Sequence, residues 1–195
     1  MSPIYSNFVD TDGPPIEGRN GRDSPNQYGR MKIVYGFAQS PFGEIVVART
    51  FEGFCDVQFL GANRMAVIHE LAARWGAYTE TVQNDTIAQT VERVVFEGYR
   101  HELPIKFYGS DFQRSVWQEV QKIPFGTTVS YQELAIRLGR PSAVRAVATA
   151  VARNPLAMIV PCHRVVHKDG TVGQYHWGAE LKKQLIAWEK SKLTR

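Results

Sequence analysis

The run Met158-Ile-Val-Pro-Cys-His-Arg-Val-Val166 sets a thiol, an imidazole and a guanidinium side by side in an otherwise apolar stretch. A free thiol ionises near pH ~8.5, and cationic neighbours or a helix end lower that value. His163 and Arg164 are suitable neighbours for Cys162. Adjacent side chains diverge in strands and helices, so adjacency in sequence does not by itself bring Cys162 against His163. A bridging water would close that gap. Residue types alone leave two readings open, a nucleophilic cysteine and a buried inert one. Glu189 abuts the apolar side of a helix expected over 180–192, whose stripe is Leu181, Leu185 and Trp188. It lies in the last turns, where the helix dipole disfavours an anion. Its carboxylate therefore either reaches water or pairs with a cation such as His163.

The elements that must hold these groups are read from periodicity and caps. Residues 111–122 put Phe112, Val116 and Val120 on one helical stripe, which stops at Pro124 and Gly126. Ser130-Tyr-Gln-Glu is a capping box in which Ser130 and Glu133 satisfy each other's end of the first turn. That helix runs through Leu134 and Leu138 to Gly139, a left-handed terminator. After Arg140-Pro141, Ser142 is expected to cap a second helix reaching about Arg153 and stopped by Asn154-Pro155. Two short helices across so tight a turn form a helix-turn-helix candidate. The second is built from Ala143, Ala146, Ala148, Ala150 and Ala152, with Arg145, Thr149 and Arg153 at i, i+4 and i+8. Small side chains allow close approach to DNA but supply few groups to read base edges. A weakly sequence-specific contact fits, as does a helix packed tightly on its neighbours.

Upstream, β-rich runs at 31–38, 43–49 and 54–60, broken by turn residues, predict an antiparallel meander. Helices are expected over 64–75 and 85–96, and Cys55 reads as a small core side chain. Residues 1–30, rich in Gly, Pro, Asn, Asp and Ser, read as a disordered leader. Met31, opening the first apolar segment, is a candidate alternative start that N-terminal sequencing would test.

Hydrophobic residues make up 44% and charged residues 22% of the 195, which are ordinary globular values. No apolar run approaches the ~20 residues of a membrane span, and the N-terminus lacks a signal-peptide pattern. Two cysteines, Cys55 and Cys162, can build neither a disulfide framework nor an all-cysteine zinc site, so an intracellular, reducing setting is expected. The net charge of +4 is unevenly spread. Residues 110–195 carry 13 basic and 6 acidic side chains, while 31–109 carry 7 and 9. The C-terminal half is thus suited to a polyanion, nucleic acid first, although a merely solvated basic surface has the same composition.

These residues resemble a known family. Pro-Cys-His-Arg-Val (161–165) is similar to the active-site motif of the O6-alkylguanine-DNA alkyltransferases, the methylated-DNA–protein-cysteine methyltransferases of DNA repair. The resemblance extends through Phe125-Gly-Thr-Thr-Val-Ser-Tyr-Gln-Glu-Leu134, Arg145-Ala-Val147, Asn154-Pro155, Val172-Gly-Gln-Tyr175 and the terminal helix with Glu189. It covers about residues 105–190 with the motifs in order. It implies an α+β protein: a ribonuclease-H-like α/β domain with an antiparallel sheet over 31–104, then a mostly helical DNA-binding and catalytic domain with a helix-turn-helix over 105–195.

Carried over residue by residue, the resemblance makes Cys162 the alkyl acceptor. His163 takes its proton through a water, Glu189 orients the imidazole, and Asn154 braces the active-site turn. Tyr131 crowds the DNA phosphate and promotes nucleotide rotation, and Arg145 fills the gap left in the duplex. Val172, Gly173, Tyr175 and His176 fall in the loop lining the alkyl pocket, while Ser130, Gln132, Arg140 and Lys168 are expected at the DNA backbone. The implied partner is double-stranded DNA containing O6-alkylguanine, repaired in a single irreversible turnover by a monomer in the cytoplasm or nucleoid, or the nucleus of a eukaryote. O4-methylthymine is an expected second substrate. No cofactor and no metal are expected, since Cys55 alone cannot supply the structural zinc of some relatives. The leader holds no cysteine for a methylphosphotriester-sensing domain, and His176 occupies a position that varies among relatives. The rival readings are a non-catalytic lesion-recognition protein, a DNA-binding regulator with an incidental cysteine, and a cysteine hydrolase using Cys162, His163 and Asn154.

Overall fold

The computed structural model describes residues 33–61, 64–75, 81–98 and 103–193, and the chain divides into two compact units between Tyr108 and Gly109. The expected leader lies outside the described residues.

In the first unit β1 (Ile33–Ser40), β2 (Gly43–Arg49) and β3 (Phe54–Phe59) form the expected antiparallel meander. The sheet does not end there. A short β4 (Thr81–Gln83) adds to the free edge of β1 in parallel, giving the order β3-β2-β1-β4. Three residues are too few for a visible alternation, so this strand left no sequence signal. Two helices, α1 (Arg64–Trp75) and α2 (Asp85–Phe96), follow the predicted bounds. Val46 and Ala48 point to one face and join Ile33, Cys55, Leu60 and the α1 residues Val67 and Leu71 in a core. Their alternates Ile45 and Val47 are buried as well, and α2 packs against β1 and β2. Gly36 permits the close approach of α2, since a Cβ there would run into the backbone of Asn84 and Asp85.

The second unit is helical. It comprises α3 (Asp111–Gln121), a two-residue β5 (Val129–Ser130), α4 (Tyr131–Arg137), α5 (Val144–Ala152), a two-residue β6 (Val165–Val166) and α6 (Ala179–Leu193). The capping box at Ser130 and Glu133 is present in both directions. Gly139, at φ +67°, ends α4 with Arg140 N–H donating to the Ala135 carbonyl. One cap differs from expectation. Ser142 does not cap α5; its N-cap is Ala143, with no side-chain hydrogen bond. The turn after Pro141 consumes one more residue than the Ser signal implied, and the Ala143 N–H donates to Arg140 instead.

The packed reading of the alanine-rich helix holds for one face, and the other face is exposed. Val147, Ala150 and Val151 are buried, and the Trp117 indole of α3 donates to the Ala150 carbonyl at 2.9 Å. Arg145, Ala146, Thr149, Ala152 and Arg153 are exposed. No described helix is long and apolar enough to cross a membrane.

Candidate active site

The site is built on the turn that follows α5. Asn154 stands at its start, buried, with its Oδ1 accepting the Leu156 N–H at 2.9 Å, an Asx turn. Its Nδ2 faces the carbonyls of Leu156 (3.2 Å) and Val160 (3.0 Å) and the sulfur of Cys162 (3.1 Å). One amide thus fixes both ends of the turn and reaches the thiol. Met158 adopts φ +64°, a left-handed conformation unfavourable for a side chain of its bulk, held by the surrounding buried turn. Cys162–Arg164 then forms a single 3-10 turn. The chain leaves it as β6, which pairs in parallel with β5, Val129 opposite Val165 and Ser130 opposite Val166. Ser130 is also the cap of α4. This short ladder therefore ties the thiol turn directly to the first residue of the helix-turn-helix, Tyr131.

Cys162 lines a small pocket together with Tyr131, Asn154, Tyr175, His176, Trp177 and Lys182. Burial pushes its thiol up, against the opposing pull of Asn154, Tyr175 and Lys182. Its sulfur is 4.0 Å from the Tyr175 hydroxyl. His163 is fully buried, and its Nε2 is 2.7 Å from Glu189 Oε1. Burial holds the imidazole below its ordinary pKa despite the opposing carboxylate, so the ring is neutral. Glu189, as a carboxylate, only accepts; the proton therefore sits on Nε2, and Nδ1 is the basic nitrogen. That Nδ1 is buried with no hydrogen-bond partner among the described residues, leaving it open to a bridging water.

Glu189 is the hub of the site and is 1% exposed. Besides His163 it accepts from Arg164 Nε (2.9 and 3.1 Å) and Nη2 (2.8 Å) and from the Gly126 N–H (2.9 Å). Burial raises its pKa, but the hydrogen bonds from His163 and Arg164 more than reverse that and bring it down to about 2. Arg164 also donates to the Ile123 carbonyl at 2.6 Å and lies over the Phe125 ring at 5.4 Å. The expectation that Arg164 would neighbour the thiol is thus corrected: its guanidinium is spent on Glu189 and on the end of α3. A cation in the apolar run 160–166 must find a buried anion, a signal that could have paired Arg164 with Glu189.

The stripe of α6 also differs from expectation. Lys182, Leu185 and Glu189 are buried, whereas Leu181 and Trp188 are half-buried. These three sit at i, i+3 and i+7, a helical face concealed by two charges. Lys182 is the residue that sequence reasoning missed. Only 1% exposed, it donates from Nζ to the Val165 carbonyl at 2.6 Å and lies 5.7 Å from the Tyr131 ring and 5.9 Å from the Tyr175 ring.

The remaining expected residues divide. Tyr175 and His176 line the pocket with Gln174 and Trp177, whereas Val172 and Gly173 are not in its lining. Gly173 turns the chain at φ +63° with no room for a Cβ beside the His167 ring, which directs the loop into the pocket only after it. Arg145, Gln132, Arg140 and Lys168 are exposed. Gln132 donates to the Pro141 carbonyl at 3.1 Å, and Arg140 lies over the Phe112 ring at 5.2 Å. Ser130 is buried with its hydroxyl committed to the α4 cap, so only its neighbours present groups to a ligand there.

Comparison with known proteins places this geometry. A family model described as "6-O-methylguanine DNA methyltransferase, DNA binding domain" matches residues 111–191, and one described as "6-O-methylguanine DNA methyltransferase, ribonuclease-like domain" matches 33–107. The chain is 39% identical over 163 residues to the "Bifunctional transcriptional activator/DNA repair enzyme Ada" of Escherichia coli, covering 82% of this chain and 46% of that protein. It spans about half the length of that relative. It is 34% identical over 166 residues to the "Methylated-DNA--protein-cysteine methyltransferase" of Methanosarcina barkeri, covering 83% of this chain and 99% of that one. Among solved structures, the Mycobacterium tuberculosis OGT in complex with DNA is similar with a TM-score of 0.67 at 28% identity, covering 82% of this chain and 94% of that chain.

Proposed function

Since the chain belongs to the 6-O-methylguanine DNA methyltransferase family, we propose that it repairs DNA by moving the alkyl group of O6-alkylguanine onto Cys162, once per molecule. The observation that carries this reading is the constellation at the thiol. Asn154 Nδ2 stands 3.1 Å from its sulfur, and a neutral His163 is fixed through Nε2 by an ionised Glu189 with Nδ1 left as a base.

The O6 atom is buried in the duplex, so the nucleotide must be extruded at a cost of a few kcal/mol. The α4–α5 pair is the docking element. Exposed Arg145 on α5 fills the vacated stack, and Tyr131 at the start of α4 crowds the phosphate. Gln132, Arg140 and Lys168 supply backbone contacts, which carry no sequence information and suit a protein that inspects all DNA. A minor-groove approach fits the small exposed side chains of α5. The extruded base enters beside Tyr175, His176 and Trp177.

Chemistry then needs a compact nucleophile at a saturated carbon, and thiolate is the strongest a side chain offers. The thiol proton leaves through a water to His163 Nδ1. The sulfur forms its bond to the alkyl carbon as the carbon–oxygen bond breaks, and the electron pair stays with guanine, which takes up a proton. The product thioether resists water, so the protein is consumed. A hydrolase would instead form a labile thioester. Residues 31–104 serve as the ribonuclease-like domain and 105–195 as the DNA-binding and catalytic domain of a monomer that works where the DNA is, in the cytoplasm or nucleoid, or in the nucleus of a eukaryote.

Incubation with duplex DNA carrying O6-methylguanine should add one methyl mass to the peptide bearing Cys162, in proportion to lesion repaired. Repeated turnover, or repaired DNA with an unmodified peptide, would overturn the reading. Cys162→Ala should abolish transfer and leave DNA binding intact.

A further inference from the structure

Lys182 is a buried cation for which the proton relay has no use. Its one hydrogen bond is to a backbone carbonyl, that of Val165, and among the described residues it has no carboxylate partner. Two tyrosine rings from different elements, Tyr131 of α4 and Tyr175 of the loop before α6, present their electron-rich faces to it from within 6 Å. Such an arrangement keeps an ammonium charged in a place where charge is disfavoured. It does so in the wall of the same pocket as the Cys162 sulfur.

The groups around that sulfur leave few other sources of positive charge. His163 is behind it in the same turn, but its Nε2 is committed to Glu189, and that carboxylate is already matched by the Arg164 fork. An imidazolium there would be a second cation on one anion. Tyr131 and Tyr175 are held above their ordinary pKa, chiefly by burial, and are neutral. His176 is exposed at the pocket rim.

Resting on the reading of Cys162 as alkyl acceptor, we propose that Lys182 is the standing counter-charge of its thiolate, with His163 serving only as the route by which the proton leaves. Electrostatics run the same way from both partners. Burial brings the Lys182 ammonium down to about 8 while the sulfur's charge lifts it, and Lys182 in turn opposes the burial that raises the thiol. In the reaction the thiol proton passes through the bridging water and His163 Nδ1 on to solvent, the sulfur–carbon bond forms, and guanine receives the electron pair of the broken carbon–oxygen bond and a solvent proton. Lys182 keeps its own proton throughout. It is a positioning residue, acting through its field on Cys162 and through Val165 on the turn.

The test is the pH dependence of Cys162 alkylation by iodoacetamide in the full chain without DNA, in the wild type, Lys182→Met and Lys182→Arg. Loss of the charge in Lys182→Met should move the half-point upward by about one pH unit and slow alkylation at pH 7 about tenfold. Lys182→Arg, which keeps the charge, should restore most of the shift, a rescue that packing alone does not give. A folded Lys182→Met with the wild-type half-point overturns the proposal. Should Lys182→Met not fold, Lys182→Gln takes its place in the same alkylation titration against Lys182→Arg, and equal half-points overturn the proposal. Iodoacetamide needs no lesion: if methyl transfer from DNA fails while these shifts appear, it is the repair reading that falls.

Discussion

Glu189→Gln tests whether the buried carboxylate, rather than the shape of its side chain, holds the site together. The native group accepts from His163, from Arg164 through both Nε and Nη2, and from the Gly126 N–H. A glutamine keeps one oxygen but turns an NH2 toward a neighbour that is itself a donor, and it leaves the Arg164 guanidinium without an anion. Breaking a buried pair by removing one partner costs about 3–5 kcal/mol. An independent figure comes from the carboxyl itself, held at about 2 against an ordinary 4.5; at about 1.4 kcal/mol per pK unit that is roughly 3 kcal/mol. The two agree in size. Because the folded-state pKa is depressed, this stability is fully present above about pH 4.5 and is lost as pH falls through about 2. For a chain of this length the variant should melt roughly 6–20 °C lower at pH 7. Urea denaturation followed by tryptophan fluorescence is a suitable assay, since Trp117, Trp177 and Trp188 all lie in the unit that contains Glu189. The wild type should lose stability between pH 4.5 and 2, and Glu189→Gln should lack that part of the slope. A variant within about 1 kcal/mol of wild type at pH 7, or one with the same slope, would refute the reasoning.

Asn154→Ala removes the acceptor for the Leu156 N–H and the donor facing Val160 and the Cys162 sulfur. It should cost about 1–3 kcal/mol and slow iodoacetamide capture of the thiol, both measurable on the full chain. Ser130→Ala removes the α4 cap and should cost about 1 kcal/mol by urea denaturation, with methyl transfer retained. Arg145→Ala should weaken binding to lesion DNA in a gel-shift or fluorescence assay and leave iodoacetamide reactivity of Cys162 unchanged, since Arg145 is exposed on α5 and outside the thiol's pocket.

Local rules made the secondary structure legible. β-rich runs between turn residues located β1–β3, helical stripes located α1–α3, and the Ser130–Glu133 box and Gly139 marked both ends of α4. What escaped were features with no local signature. β4 is three residues long, and the β5–β6 ladder is two against two, so neither has enough length to show a period. The start of α5 was misplaced by trusting Ser142 as a cap where the turn geometry gave that role to Ala143. At the site, Cys162, His163 and Glu189 were legible as residues, yet their arrangement was not, because Arg164 was expected beside the thiol and Lys182 carried no local signal. Their burial is a tertiary fact. Charges on a helix face read as solvent-facing unless a partner is known, and the partners lie 25 residues away for Arg164 and 17 for Lys182.

The buried charges support a division of labour between two ion centres, Lys182 in the pocket wall and the Arg164–Glu189–His163 group outside its lining. Arg164 and Glu189 cancel, and burial keeps His163 neutral, so the resting site retains one positive charge, at Lys182. Ionising Cys162 brings the sum to zero, which is why a buried sulfur can be an anion there at all; attraction between such groups strengthens as water is excluded. In the proposed transfer the negative charge would pass from sulfur to the departing guanine within the pocket that Lys182 also lines. Groups fixed before the reaction cost no reorganisation when charge shifts. The Glu189 centre therefore governs shape and the Lys182 centre governs charge. Variants should separate accordingly: Glu189→Gln should cost mainly stability, and Lys182→Met should move mainly the pH at which the thiol reacts. If both variants moved both quantities equally, the two centres would be a single network and the charge count would lose its meaning.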